Sequence, residues 1–364
     1  MTNESSDMTM IQRIRDTETQ YASFARQVGA VVPELSRTKA TADETIALAA
    51  VDSTNILART LLATGELQVV GANGCARMAA ICADAQTAGH GRLGRQWSAW
   101  PEGASFLVTY VTALPRRLVT DPACNGWFTI AAGLASLDAL NSVLAQCGAK
   151  PLDGAHQLAL KWPNDIFCNG RKLGGILAEV VELPHDGNGM VVASGVSGVS
   201  VDPDGRSAAP YAVDHVLLGD EGSSAATLSE SIRDCALGVM FGIGINLDIA
   251  PEHLPTPIST SLQLLYGPLP DPPTMRDMIA AKLTESLRSR LAILVDGGQE
   301  AFEDLRDETG AVCWTLGQQV EVRSTDGSSV RGEALSLNAD ASLTVRDESG
   351  ISHVVRTGDV GVLA

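Results

Sequence analysis

Residues Lys161 to Glu179 read KWPNDIFCNGRKLGGILAE, and the fold turns on how this stretch is read. Asn169-Gly170 lies between two apolar runs, and both central positions of a two-residue hairpin turn need positive φ, which these residue types tolerate. The stretch therefore predicts a β-hairpin with Leu173 to Val180 as its second strand. Gly174 and Gly175 in that strand mark a place where a ligand or another backbone comes close. Lys161 opens the element, where a cation can be aimed at a fixed point. Taken alone, the stretch is equally an ordinary core hairpin whose lysine reaches out to water.

A second segment, Gln86 to Trp97, reads QTAGHGRLGRQW and follows a strand-like run from Met78 to Ala83. Glycines let the backbone approach an anion closely, and arginines offer forked donors to carboxylate or phosphate. Gly89, Gly91 and Gly94 match GxGxxG, but a dinucleotide fingerprint needs a helix directly afterwards. Here a loop-like run to Gly103 is followed by a strand-like one, Ser105 to Thr112. The segment is expected to be a mobile glycine-rich loop between two strands, able to close over a ligand.

With VDSTN at Val51 to Asn55 and GIGINL at Gly242 to Leu247, these segments resemble the catalytic core of the biotin protein ligases, in that family's order, from about Thr45 to Ser261. The resemblance implies an α+β fold: a mixed-sheet catalytic core of the biotin/lipoate ligase type with a small C-terminal SH3-like β-barrel, of the monofunctional type lacking an N-terminal winged helix. It implies ATP-dependent activation of biotin to biotinyl-5′-AMP and transfer to a lysine of a biotin carboxyl carrier domain. Mg²⁺ would arrive with the ATP phosphates, without metal ligands from the chain.

By the same resemblance, Lys161 and Arg92 would be catalytic. Ser53, Thr54, Asn55, Gln86, Gly89, His90, Gly91, Arg92, Lys161, Ile166 and Gly242 would bind biotin. Arg92, Arg95, Lys161 and Asn246 would hold ATP phosphates. His90 departs from the arginine usual in the family, which reduces the positive charge of the loop. A lipoate-type ligase and a non-catalytic biotin-binding regulator remain open alternatives, and the GHGRLGR loop and KWPND spacing favour biotin over lipoate.

Composition sets limits on the partners. With 364 residues and 45% apolar content, the chain can bury a sizeable core. A formal net charge of −17 opposes broad nucleic-acid or anionic-membrane surfaces, so any polyphosphate needs a local basic cluster. The start, MTNESSDMTM, has neither the basic residues nor the apolar run of a signal peptide, and a cytoplasmic location is expected. Seven cysteines without a CxxC pair point to reduced, structural thiols. Whether the chain is a monomer or a homodimer is left open.

Three regions are expected along the chain. Residues 1–42 form a tail with a helix near Ile11 to Val28, 43–310 the catalytic domain, and 311–364 a barrel of short alternating strands. Ser53, Thr54 and Asn55 are N-cap candidates for a helix from Ile56 to Ala63. Long helices are expected from Asp121 to Gln146 and Thr274 to Val295, and a short one from Glu300 to Arg306. Asn246, at the end of a strand, is a turn former on its residue type alone. Residues of about 184–235, rich in Gly, Ser, Asp and Ala, are expected as an insertion with an extra strand from Val191 to Val201.

Overall fold

The computed structural model describes residues 2–71, 74–97, 104–154, 157–184, 236–323, 327–356 and 358–362. The expected insertion strand, Val191 to Val201, lies outside the described residues.

A seven-stranded mixed sheet forms the core. Its strands are β1 (Glu44–Val51), β2 (Ala79–Gln86), β3 (Ser105–Pro115), β5 (Leu158–Lys161), β6 (Asp165–Cys168), β7 (Arg171–Glu182) and β8 (Ala236–Asn246). They lie in the order β1-β2-β3-β8-β7-β6-β5, with β1 and β2 parallel and every other pair antiparallel. Two-residue strands β4 (Lys150–Pro151) and β9 (Tyr266–Gly267) pair separately. The predicted hairpin is β6 and β7, with Asn169 at φ 49° and Gly170 at φ 73° in the turn. Lys161 is one strand earlier than expected, because Pro163 and Asn164 turn the chain before β6 begins and make the segment a three-stranded meander.

Helices cover both faces of the sheet. One face takes α1 (Thr2–Val28) and α3 (Thr54–Ala63). From α1, Met10 packs among Ile46, Leu48 and Leu61, and Tyr21, Phe24 and Val28 pack on Ala50 and Ala85. The expected N-terminal helix is thus longer than its apolar spacing indicated, and it is docked on the core rather than trailing as a tail.

The other face takes α5 (Asn125–Gln146), α6 (Pro272–Asp296) and α7 (Gly298–Val312), with short α2 (Ser36–Thr41) and α4 (Arg116–Val119) at its margins. Helix α5 is apolar nearly all round and long enough to cross a membrane, but most of it is buried in this core. Strand β3 is buried along its whole length, as a central strand between covered faces must be.

A buried ion pair ties these layers together. Arg276 of α6 donates to Asp84 of β2 at 2.6 Å and to the Ser105 carbonyl at 3.2 Å. The second oxygen of Asp84 accepts from Val31 N at 3.0 Å. Asp84 and Ser105 flank the glycine-rich loop, so one guanidinium fixes the spacing of its two roots.

The C-terminal strands are β10 (Gln319–Arg323), β11 (Ser329–Leu337), β12 (Leu343–Arg346), β13 (Ser352–Val355) and β14 (Asp359–Val362). They form an antiparallel sheet in the order β13-β12-β11-β10-β14. Among the described residues this ladder stays open from β13 to β14, so the expected small β unit is present as a five-stranded sheet. It packs on the core through Trp127, whose indole N–H donates to the Ala339 carbonyl at 2.7 Å.

Candidate active site

A cleft opens where β7, β8 and the N-terminus of α3 meet the glycine-rich loop. Its wall includes Ser53, Thr54, Asn55, Gln86, His90, Gly91, Arg92, Arg95, Lys161 and Gly242, which brings together most of the residues singled out in the sequence. Gly89, Ile166 and Asn246 are not on that wall. Gly89 is buried beneath the loop and its carbonyl accepts from Trp97 N at 2.8 Å. Ile166 points into the core and is 0% exposed, while its neighbour Asp165 takes the cleft position, because successive residues of a strand face opposite ways. Asn246 is buried and donates to the Thr260 carbonyl at 2.8 Å, so its part is to hold a turn.

At one end, α3 begins without the expected cap. Ser53 occupies the N-cap position but makes no capping side-chain bond. The Thr54 amide donates instead to Gln86 Oε1 at 2.8 Å, so a strand residue satisfies a donor that the helix leaves open. Asn55 lies flat across β8 at Gly242. A Cβ on Gly242 would stand 2.2 Å from Asn55 Oδ1, which makes bare backbone a requirement there. Two residues along, Trp97 covers Gly244 in the same way, with a Cβ position 2.5 Å from its ring. The Trp97 indole N–H is buried there without a hydrogen-bond partner among the described residues.

The other end is cationic. Arg92, Arg95, Lys161 and Lys172 all reach the wall, and Asp165 is the one carboxylate among the described lining residues. Arg92 donates to Asn164 Oδ1 at 3.1 Å, and Asn164 Nδ2 donates to the Ile176 carbonyl at 2.8 Å, so the arginine is steered by the β5–β6 turn. Lys172 pairs with Asp165 at 2.7 Å and lies 5.8 Å from the centre of the Trp97 ring. Lys161 Nζ stands 5.3 Å from the centre of the Phe167 ring. In a chain of net charge −17, this is the local basic cluster that a polyphosphate needs.

The loop itself is more ordered than its glycines imply. His90 bridges to Gln96, the Gly91 amide donates to the Arg95 carbonyl at 2.7 Å, and a 3₁₀ turn at Arg92–Gly94 carries Leu93 at φ 58°. Lys172, Asn164, Asp165 and Trp97 stand inside the sequence motifs, yet their residue types alone did not single them out. Gly358 and Val360 of the C-terminal region also line the cleft, and no short sequence pattern announces them.

A carboxylate-lined metal site is not what this wall offers, and a neutral head with an anionic tail suits it end to end. The sequence model of the biotin/lipoate A/B protein ligase family matches residues 76–202. The chain is 29% identical over 281 residues to the biotin--[acetyl-CoA-carboxylase] ligase of Mycobacterium tuberculosis (strain ATCC 25618 / H37Rv), covering 77% of each. It is 34% identical to the enzyme of that name from Paracoccus denitrificans, over 48% of this chain and 62% of that one. The match to the bifunctional ligase/repressor BirA of Escherichia coli (strain K12), at 30% identity, spans only 32% of each chain. Among solved structures, the Aquifex aeolicus biotin protein ligase in complex with biotin and ATP shares the fold, with a TM-score of 0.52 and 18% identity over 88% of this chain and 96% of that one.

Proposed function

We propose that the chain is a biotin–protein ligase that joins biotin to ATP, forming biotinyl-5′-AMP and pyrophosphate, and then passes the biotinyl group to a lysine of a carboxylase's carrier domain. The observation that carries this reading is the meeting of Arg92, from the glycine-rich loop, and Lys161, from β5, on one cleft whose far end is polar and uncharged.

In the first step a carboxylate oxygen forms a bond to the α-phosphorus and the bond to pyrophosphate breaks. Two anions must approach each other, and Lys161 and Arg92 offset the repulsion while Arg95 holds phosphate. Positioned charges of this kind contribute roughly 3 kcal/mol each to the transition state. In the second step a neutral lysine amine attacks the acyl carbon, AMP leaves, and the nitrogen loses a proton. Ser53, Thr54, Gln86 and Gly242 form the wall for the biotin head. Mg²⁺ would enter with the nucleotide and would neutralise its phosphates, while Asp165, the one carboxylate among the described lining residues, is held by Lys172 at 2.7 Å. The mixed anhydride hydrolyses in water, so the described part of the loop, 87–97, shields it as well as binding it. The enzyme acts in the cytoplasm, where carrier domains and ATP meet.

The test is biotin-dependent exchange of pyrophosphate into ATP. Lys161→Ala and Arg92→Ala are each expected to lower the exchange about a hundred-fold with the circular dichroism spectrum unchanged. Near-normal exchange in both variants refutes the reading. Replacing biotin by lipoate in the same assay is expected to give no exchange.

A further inference from the structure

We propose that Glu179 is a positioning residue for the head-group end of the cleft, acting through Asn55; this rests on the biotin-ligase reading above. Glu179 does not line the cleft. It stands two residues beyond Leu177 on the same face of β7, with its side chain 17% exposed. One of its oxygens pairs with Arg59 of α3, and the other accepts from Asn55 Nδ2 at 2.7 Å.

A carboxylate held by a guanidinium can only accept hydrogen bonds, so it dictates which way the Asn55 amide faces. The NH₂ group must turn to Glu179 and to the Leu177 carbonyl, 3.4 Å away. Oδ1 is then forced over Gly242 toward Thr109, whose hydroxyl donates to it at 2.6 Å. With its hydrogen committed to Asn55, Thr109 Oγ1 is an acceptor toward Thr54, whose hydroxyl lies 2.8 Å from it and 3.2 Å from Gln86 Oε1. Both neighbours of the Thr54 hydroxyl therefore accept, its hydrogen points into the wall, and a ligand meets its lone pair. One acceptor-only group beyond the cleft sets the hydrogen-bond polarity of a residue on the cleft wall.

The row has no slack. Leu177 and Thr109 are both register partners of Gly242, on either side of it. Asn55 is 3% exposed, and it bridges the two strands across that glycine. Removing the acceptor at Glu179 releases the amide to rotate, and the polarity of Thr54 is no longer fixed.

The experiment is steady-state pyrophosphate exchange on the full chain, varying biotin and ATP separately. Glu179→Leu is expected to raise KM for biotin on the order of ten-fold, the loss of one buried charge-assisted bond, and to leave KM for ATP within about two-fold. Glu179→Gln keeps the shape and guards against misfolding. Its amide can present NH₂ to Asn55, so KM for biotin is expected to rise about three-fold or more. Adding Thr109→Val to Glu179→Leu is expected to raise KM for biotin no further, since both changes break one chain of bonds. Biotin KM within two-fold of wild type in both Glu179 variants, an equal rise for ATP, or additive effects in the double variant each overturn the proposal. Absence of biotin-dependent exchange in the wild-type chain overturns the ligase reading instead.

Discussion

Trp162 donates its indole N–H to the carbonyl of Ala341 at 2.8 Å, so the residue after Lys161 is held by the C-terminal sheet as well as by its own meander. Its backbone N–H donates in turn to Thr315 Oγ1 at 2.9 Å. Trp162→Phe keeps an aromatic side chain but removes the donor and part of the ring volume, leaving a buried carbonyl unsatisfied. A loss of about 1–3 kcal/mol in urea unfolding is expected, with exchange activity falling because Lys161 loses its support.

Gly242→Ala places a methyl group where Asn55 Oδ1 now lies, 2.2 Å from it. The amide must leave, and biotin binding measured by calorimetry is expected to weaken ten-fold or more, about 1.4 kcal/mol. Gly310→Ala, in α7 with no atom within 4 Å of its Cβ position, serves as the control and is expected to bind normally.

The Asp84–Arg276 pair has side chains 0% and 2% exposed. Breaking it from one side leaves an uncompensated buried charge, so Arg276→Met is expected to cost about 3–5 kcal/mol of stability by denaturant titration. Asp84→Asn with Arg276→Met is expected to be less damaging than the sum of the singles, because neither charge is then stranded.

Burial pushes the Cys82 thiol up to about 12, with nearby Arg276 opposing the shift. Burial likewise raises the Cys168 and Cys313 thiols. Cys75 is exposed. Alkylation at pH 8 followed by peptide mass mapping is expected to label Cys75 in the native protein and to reach Cys82 only after denaturation.

Strand β7 ends at Glu182 paired with Leu237 of β8, whereas the cleft floor is at Gly175 paired with Gly244. Seven residues of extended chain separate the two places, roughly 23 Å. Replacing residues 185–235 by a short glycine-containing turn is therefore expected to leave exchange activity within about two-fold, by the same assay, since every described residue of the cleft wall is kept.

Local signals were legible in the sequence where the physics is local. Asn169-Gly170 marked the hairpin because only a few residue types accept positive φ, and the long helices α5 and α6 were expected close to where they lie. The resemblance carried Arg92 and Lys161 to one site. What escaped depended on partners distant in sequence. Ser53 looked like a cap, but it makes no capping bond, and the first amide of the helix, Thr54 N–H, is taken by Gln86, 32 residues away. Ile166 was placed one residue out of phase, and on a strand one residue is the difference between cleft and core. Glu179 ends the KWPND stretch with no role legible from its neighbours, because its partners Asn55 and Arg59 are 124 and 120 positions away.

The two bonds that hold Trp162 reach 153 and 179 positions down the chain. During synthesis, the strand bearing Lys161 leaves the ribosome long before Thr315 and Ala341 exist to brace it. A nascent polypeptide can thus carry the glycine-rich loop, the lysine strand and the GIGINL strand and still lack a finished cleft, whose wall at Gly358 and Val360 arrives only with the last sheet.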